Sequence, residues 1–475
     1  MTPHPVQTFP PELLMEIFSH NCDETALRCG SGNEADIDPL PGRLATDDSL
    51  MLYIPAVQIG QVCRSWNQLV KTCTSLWACF DVEIFREPSV DESAKLVDGV
   101  KHILNAAGSH GLKIGIDQSS IGLDGAFHPA VRMLIAESTR WVHLNLWLPN
   151  PDLLYHDQLR VLEGKLPLLG SLLIETSEEI PRETRTFAVA PLLRFAEINS
   201  SNVVLPWKQL RSLTSFNGRL HNTLRCLELS DQLHTLEIVN DFAPEWLPIP
   251  AVSSNIIDFD LQFSPPELTG VEMMLSVTSF PVLQCLRLEM ELELEEEAIF
   301  VRAISMAPLL KFLQQCSSTL TNLTLNNMFL SGDEFIRVLK HTPQIDMLSV
   351  LEYRTQPFFT VQVSRHFLET PAILPQLKCL NVDLEFGNGL NFLHLADVVE
   401  HRHPRALVSS TGGHAISALQ SVDFMIRDLT FSPDHLDKWK SLSHGLSVTL
   451  KDFNRLIDVR EGEKISNSAL EISSP

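Results

Sequence analysis

Apolar residues recur along most of the chain in the spacing Leu-x-x-Leu-x-Leu, with apolar substitutes allowed. Matches start at Trp141, Leu169, Leu193, Leu210, Leu233, Ile256, Leu283, Leu320, Ile345, Leu377 and Leu419. Most starts lie about 20–29 residues apart, the period of leucine-rich repeats, and the longer intervals leave room for insertions. A further match at Leu224 overlaps the one at Leu233, so the register there stays open. Each unit predicts a short strand in a parallel sheet and a helical or looped return, its apolar side buried only by the next unit. Cys79–Phe85 and Leu112–Asp117 read as the first strands, with a helix near Ser93–Ala107 between them, and Ala303–Gln315 and Asp333–His341 read as helical returns. The expected fold class is α/β: a helical module, then an irregular repeat solenoid over 79–460 with its parallel sheet on the concave face. Residues 461–475 read as a frayed tail.

The front of the chain has a different period. Phe9-Pro10-Pro11-Glu12 opens a helix, because proline fits the first turn, where its missing N–H is not needed. Leu13, Leu14, Ile17 and Phe18 then share one face. Residues 21–50 carry acids, glycine and proline with almost no apolar stretch, and predict a solvated, disordered insertion. A second helical stretch is expected over Ile54–Thr72, where Ile59, Val62, Trp66 and Leu69 form an apolar stripe, followed by Leu76 and Trp77. Under about 60 ordered residues give only a marginal core. Some of these apolar groups must therefore dock on another protein or on the rest of the chain.

The combination Phe9-Pro10-Pro11-Glu12-Leu13-Leu14-x-Glu16-Ile17-Phe18, Val62-Cys63-Arg64-Ser65-Trp66 and Ser75-Leu76-Trp77 resembles the F-box of mushroom-forming fungi. The repeats behind it resemble the degenerate leucine-rich arrays that often follow F-boxes. The resemblance assigns residues 1–78 to a three-helix F-box-like module, from which the acidic insertion departs. It implies a substrate-recognition adaptor of a Skp/cullin ubiquitin ligase, soluble in the cytoplasm or nucleus. By the same resemblance, Pro10, Leu13, Ile17, Phe18, Val62, Cys63, Trp66 and Trp77 would meet the Skp-type adaptor, which links the chain to a cullin.

Charge bears on what the solenoid would bind. The 36 Lys and Arg against 59 Asp and Glu leave a net charge of −23, which argues against nucleic acid and against an anionic membrane surface. If the fourth and sixth repeat positions point inward, the fifth and seventh form the concave face. Seven of those 22 positions are acidic and one is basic. Glu237, Asp260, Glu289, Glu291, Glu293 and Asp383 are thus the candidates for holding a basic target. In Glu289-Met-Glu291-Leu-Glu293, Met290 and Leu292 should face inward.

The sequence contains no GxSxG, P-loop, GxGxxG or HExxH motif, so neither an enzyme nor a cofactor is expected. Nine scattered cysteines without a CxxC pair, and a start without an apolar leader, predict a reducing compartment. His401-x-His403 is crowded by Arg402 and Arg405, which argues against a metal pair. Two other readings stay open: an interaction scaffold independent of any ligase, and a solenoid that senses a small ligand.

Overall fold

The computed structural model describes residues 10–28, 50–118, 127–178, 180–216, 219–239, 251–291, 303–352, 373–384, 392–402, 417–426, 446–452 and 455–458, with residues 362–363, 366, 438–439 and 441–443 between them. The chain divides into two compact units, one of residues 1–218 and 225–233, the other of residues 219–224 and 234–475.

In the first unit the elements are α1 (Pro11–Arg28), β1 (Leu50–Tyr53), α2 (Pro55–Val62), α3 (Arg64–Thr72), β2 (Cys79–Ile84), α4 (Val90–Ala107), β3 (Leu112–Gln118), α5 (Pro129–Ala136), β4 (Trp141–Trp147), α6 (Asp157–Arg160), β5 (Ser171–Glu175), β6 (Phe195–Ile198) and β7 (Ser212–Phe216). Strands β2 to β7 pair in parallel in sequence order, and β1 lies antiparallel to β2, with Leu50 opposite Ile84. The paired β1 caps an edge that would otherwise present unpaired N–H and C=O groups. Helix α4 starts at a reciprocal cap, in which Ser89 Oγ accepts from the Glu92 N–H (3.3 Å) and Glu92 Oε2 accepts from the Ser89 N–H (2.7 Å).

Two local features differ from the sequence reading. The helix expected over Ile54–Thr72 breaks at Cys63, which is extended (φ −161°, ψ 168°), so the module holds three helices. The corner is tied by Asn67 Nδ2 donating to the Gly60 carbonyl (3.1 Å). A Cβ on Gly60 would sit 3.3 Å from that same nitrogen, so glycine permits the close crossing of α2 and α3. Helix α1 continues to Arg28 and β1 begins at the buried Leu50, both inside the stretch 21–50 read as a disordered insertion; residues 29–49 lie outside the described residues.

Helix α7 (Leu220–Leu229) is divided between the two units. The second unit holds β8 (Thr235–Val239), β9 (Val252–Ser253), β10 (Asp258–Phe263), α8 (Leu268–Val277), β11 (Thr278–Ser279), β12 (Cys285–Met290), α9 (Met306–Cys316), β13 (Asn322–Asn326), α10 (Gly332–Lys340), β14 (Met347–Glu352), β15 (Cys379–Leu384), a helix at Phe392–His401, β16 (Ser421–Ile426), β17 (Ser447–Asp452) and β18 (Arg455–Asp458). Its sheet runs β8-β10-β12-β13-β14-β15-β16-β17 in parallel and closes with β18 antiparallel to β17.

A strand begins at or two residues after every one of the eleven repeat starts. The match at Leu224 falls inside α7, so Leu233 holds the true register. The alternation is clean: in β10, Phe259, Leu261 and Phe263 are buried while Asp258, Asp260 and Gln262 are half-buried. The result is a mixed α/β fold built of solenoid-like repeats, one strand per repeat, with helices on the returns. Among the described residues no helix is long and apolar enough to cross a membrane.

Candidate functional site

Leu14, Phe18, Ile59, Val70 and Leu76 are buried, and the Phe18 ring meets Trp66 edge-on at 4.6 Å. Trp77 is half-buried, its indole Nε1 donating to the Val70 carbonyl (3.0 Å) and its ring standing edge-on to His102 at 5.8 Å. Of the residues the F-box resemblance assigns to an adaptor, Phe18 and Trp66 are thus engaged with each other, Trp77 is engaged with Val70 and with His102 of α4, and Cys63 is half-buried. Pro10 is exposed, and Leu13, Ile17 and Val62 are 48, 52 and 62 % exposed. Leu13 and Ile17 lie one turn apart on α1, hence on one face.

On the open face of the second unit the register sets Glu237, Asp260 and Arg287 side by side, and sets Gln262 beside Glu289. Arg287 is the hub: its Nη2 donates to Glu289 Oε2 (2.6 Å), and its Nε lies 3.7 Å from Asp260 Oδ2. Asn326 Nδ2 adds a bond to Glu289 (3.1 Å), and Gln262 Nε2 donates to Glu237 (3.3 Å). Burial pushes the Asp260 carboxyl up to about 6, with Glu237 and Glu289 adding to the rise and Arg287 opposing it. Asp383 stands three strands from Glu289, beside Leu351 and Met425. Glu291 is exposed just beyond β12, Met290 is buried as expected, and Glu293 lies outside the described residues. Three of the six acidic candidates therefore gather around one arginine, which spends part of their charge internally.

The raised Asp260 pKa fixes a sign. A carboxyl with a folded pKa above its unfolded one favours folding when protonated, and that contribution is lost as pH rises through about 6. The Asp260→Asn variant, neutral throughout, should be more stable than the parent at pH 7.5 by on the order of 1 kcal/mol, since each pKa unit is worth ~1.4 kcal/mol and solvent screening of the half-buried carboxyl reduces the gain. The advantage should shrink toward zero at pH 4. Urea midpoints at the two pH values test this, and equal differences at both would refute it.

The sequence reading assigned no face residues to β2 and β3, although alternation points to them. Phe80, Val82 and Ile84 go inward, which sends Asp81 and Glu83 to the open face; Ile114 and Ile116 do the same for Gly115 and Asp117. Asp81, Gly115, Asn145 and Leu173 form one row across β2–β5, and Glu83, Asp117, Trp147 and Glu175 form the next. A cavity of about 40 Å3 opens among them. Burial raises the Glu175 pKa, and a hydrogen bond from Trp147 opposes the rise. Beside it lies a groove of about 440 Å3 lined by Lys113, His143, Phe195, Glu197 and Thr214, sharing Asn145 and Leu173 with the small cavity. Asn145, Asn199 and Asn326, which hold fifth or seventh repeat positions, are buried. Asn199 Nδ2 donates to the Thr176 carbonyl (2.6 Å), a bond that ties neighbouring repeats.

Among the described residues no cluster of three or more His, Cys, Asp or Glu is placed to hold a metal ion. His401 is exposed with its Nδ1 at the Asp397 carbonyl (3.2 Å), Arg402 is buried beside it, and His403 lies outside the described residues. Burial and Asp258 push the Cys285 thiol up to about 11.

No protein-family model and no curated protein matches the chain. A solved structure to which it is similar is the leucine-rich repeat-containing protein LegL7 from Legionella pneumophila, at 15 % identity and a TM-score of 0.28, over 52 % of this chain and 86 % of that one.

Proposed function

We propose that the chain is the target-recognition subunit of a Skp/cullin ubiquitin ligase, its N-terminal helices docking on the Skp-type adaptor and its repeat faces holding a target protein. On this reading it performs no chemistry itself, and the gain comes from holding the target near the transferring enzyme. The observation that supports it most is the exposure of Leu13, Ile17 and Val62 beside the buried Leu14, Phe18, Ile59 and Leu76. Full burial of each such side chain contributes about 1.5–3 kcal/mol, an incentive for a partner to cover them. They fall at positions where the F-box resemblance sets adaptor contacts.

The test uses purified full-length chain and a purified Skp-type adaptor. Wild type should bind, and Leu13→Asp with Ile17→Asp should weaken binding at least tenfold, with an unchanged circular dichroism spectrum because both sites are exposed. Absence of wild-type binding, or unchanged affinity in the double variant, would overturn the proposal.

A further inference from the structure

Three successive repeats of the first unit enter the sheet through turns that carry bases and no acids. The stretches 165–171, 190–195 and 205–212 lead into β5, β6 and β7; they hold Lys165, Arg194, Lys208 and Arg211 and neither aspartate nor glutamate, in a chain of net charge −23. Arg194 and Arg211 take the same place in adjacent repeats. The Arg194 N–H donates to the Gly170 carbonyl (2.9 Å), and the Arg211 N–H donates to the Arg194 carbonyl (2.8 Å). Gln209 Nε2 donates to the Ala190 and Leu193 carbonyls (2.6 and 3.2 Å), which ties the two turns into one rim. Among the described residues the exposed Lys208 and Arg211 side chains make no hydrogen bond or ion pair, and Arg194 bonds only to carbonyls of its own turn. Of the acids nearby in the chain, Glu163 lies 3.6 Å from Arg185, and Glu197 stands two residues further along β6. The same turns expose apolar side chains: Leu168, Leu192 and Phe195 are 43, 49 and 55 % exposed. Phe195, between its small register neighbours Ser171 and Ser212, lines the groove of about 440 Å3 together with Leu173.

We propose that this rim docks an acidic segment of a target protein, with a large apolar side chain seated in the groove against Phe195 and the adjoining carboxylates on Arg194, Lys208 and Arg211. A guanidinium offers a carboxylate paired donors in a planar fork, so two arginines side by side suit a run of acids. Glu197 lines the groove and repels a carboxylate there, which assigns the groove to the apolar side chain and the rim to the acids. Glu175 lies four residues beyond Ser171 on β5, about 13 Å at ~3.3 Å per residue. That exceeds the screening length of about 8 Å at physiological salt, so the acids at the far ends of the strands weigh little at the rim. A membrane or a nucleic acid presents extended negative charge, which the whole chain's −23 repels, whereas a short segment meets the rim alone. The proposal rests on the reading of the repeats as a target receptor, and not on adaptor docking.

Three labelled decapeptides serve as probes on the full chain at physiological salt: one containing Asp-Glu-Asp-Leu-Phe, one with Asn-Gln-Asn in place of its acids, and one with Ser-Ser in place of Leu-Phe. Fluorescence anisotropy should give the first at least tenfold tighter binding than the other two. Lys208→Glu with Arg211→Glu should weaken it at least tenfold, and Phe195→Ser at least fivefold, with unchanged circular dichroism because all three sites are exposed. No binding of the first peptide, equal binding by all three, or unchanged affinity in the double variant would overturn the proposal. Co-sedimentation with phosphatidylserine vesicles in place of peptide binding would overturn it too, and would make the rim a membrane contact. No adaptor is present in these measurements, so loss of adaptor binding sinks the ligase reading and leaves this result standing.

Discussion

Replacing Phe280 with alanine should cost the second unit about 3–5 kcal/mol, the usual range for deleting a buried aromatic ring. Phe280 packs edge-on against Phe259 of β10 (5.2 Å) and against Phe312 of α9 (5.7 Å), and Phe259 and Phe312 lie 6.1 Å apart. All three rings are buried. The trio thus joins a strand of one repeat to the turn and the helix of the next. In a repeat array, stability resides largely in such contacts between neighbours, so the loss should spread to β10 and β12 rather than stay at the turn. Because ordinary domains hold only about 5–15 kcal/mol in total, the effect should appear as a marked fall in the denaturation midpoint. Hydrogen exchange should localise the loosening to amides around Asp260 and Arg287, while Phe280→Leu, which keeps most of the volume, should cost under half as much. A loss below 1 kcal/mol for the alanine variant would mean that the rings do not hold these repeats together.

The repeat register was legible in the sequence because it is written in burial. Leu-x-x-Leu-x-Leu marks residues that the neighbouring repeat must cover, and every such segment carries a strand. The helices were legible where caps reinforce period, as at Ser331 and Glu334 before α10, where Ser331 Oγ accepts from the Glu334 N–H (3.3 Å). The break at Cys63 was not legible, because the apolar stripe runs straight through it; the corner comes from the contact between Asn67 and Gly60, a tertiary cause. The face was legible as a list of positions but not as a charge pattern. Sequence spacing marks Arg287 as one base among seven acids and sets it on the same face as Glu289, but only pairing register puts Asp260 beside it. Likewise Asp81 and Gly115 line the first unit's small cavity together because they are parallel neighbours more than 30 residues apart in the chain.

Arg402→Met should destabilise the second unit by about 1–3 kcal/mol, although it removes a buried charge. The guanidinium is buried, and Nη1 donates to the Leu374 carbonyl (2.6 Å) while Nη2 donates to the Ile373 carbonyl. Burial lowers its pKa to about 10, which leaves it charged at neutral pH. Two effects oppose each other. Replacing a buried charge by an apolar group of similar length relieves desolvation, and in favourable cases that is neutral or stabilising. Here, however, methionine would take these donors from two carbonyls of buried residues; the Leu374 oxygen keeps the Leu377 N–H, so the full cost, about 1–3 kcal/mol, falls on the Ile373 oxygen. One of them belongs to Leu374, whose positive φ of 50° is a left-handed conformation that leucine tolerates poorly. The arginine helps to hold that turn, and Leu374 and Leu377 close it just before β15 through the Leu377 N–H at the Leu374 carbonyl (3.1 Å). The lost donors therefore outweigh the relieved charge. Arg402→Lys should fall between, because a single ammonium keeps the charge but lacks the planar fork that reaches both oxygens. Chemical denaturation of the three proteins at pH 7 decides the matter: a methionine variant as stable as the parent would show that desolvation dominates and that the turn before β15 stands without its arginine.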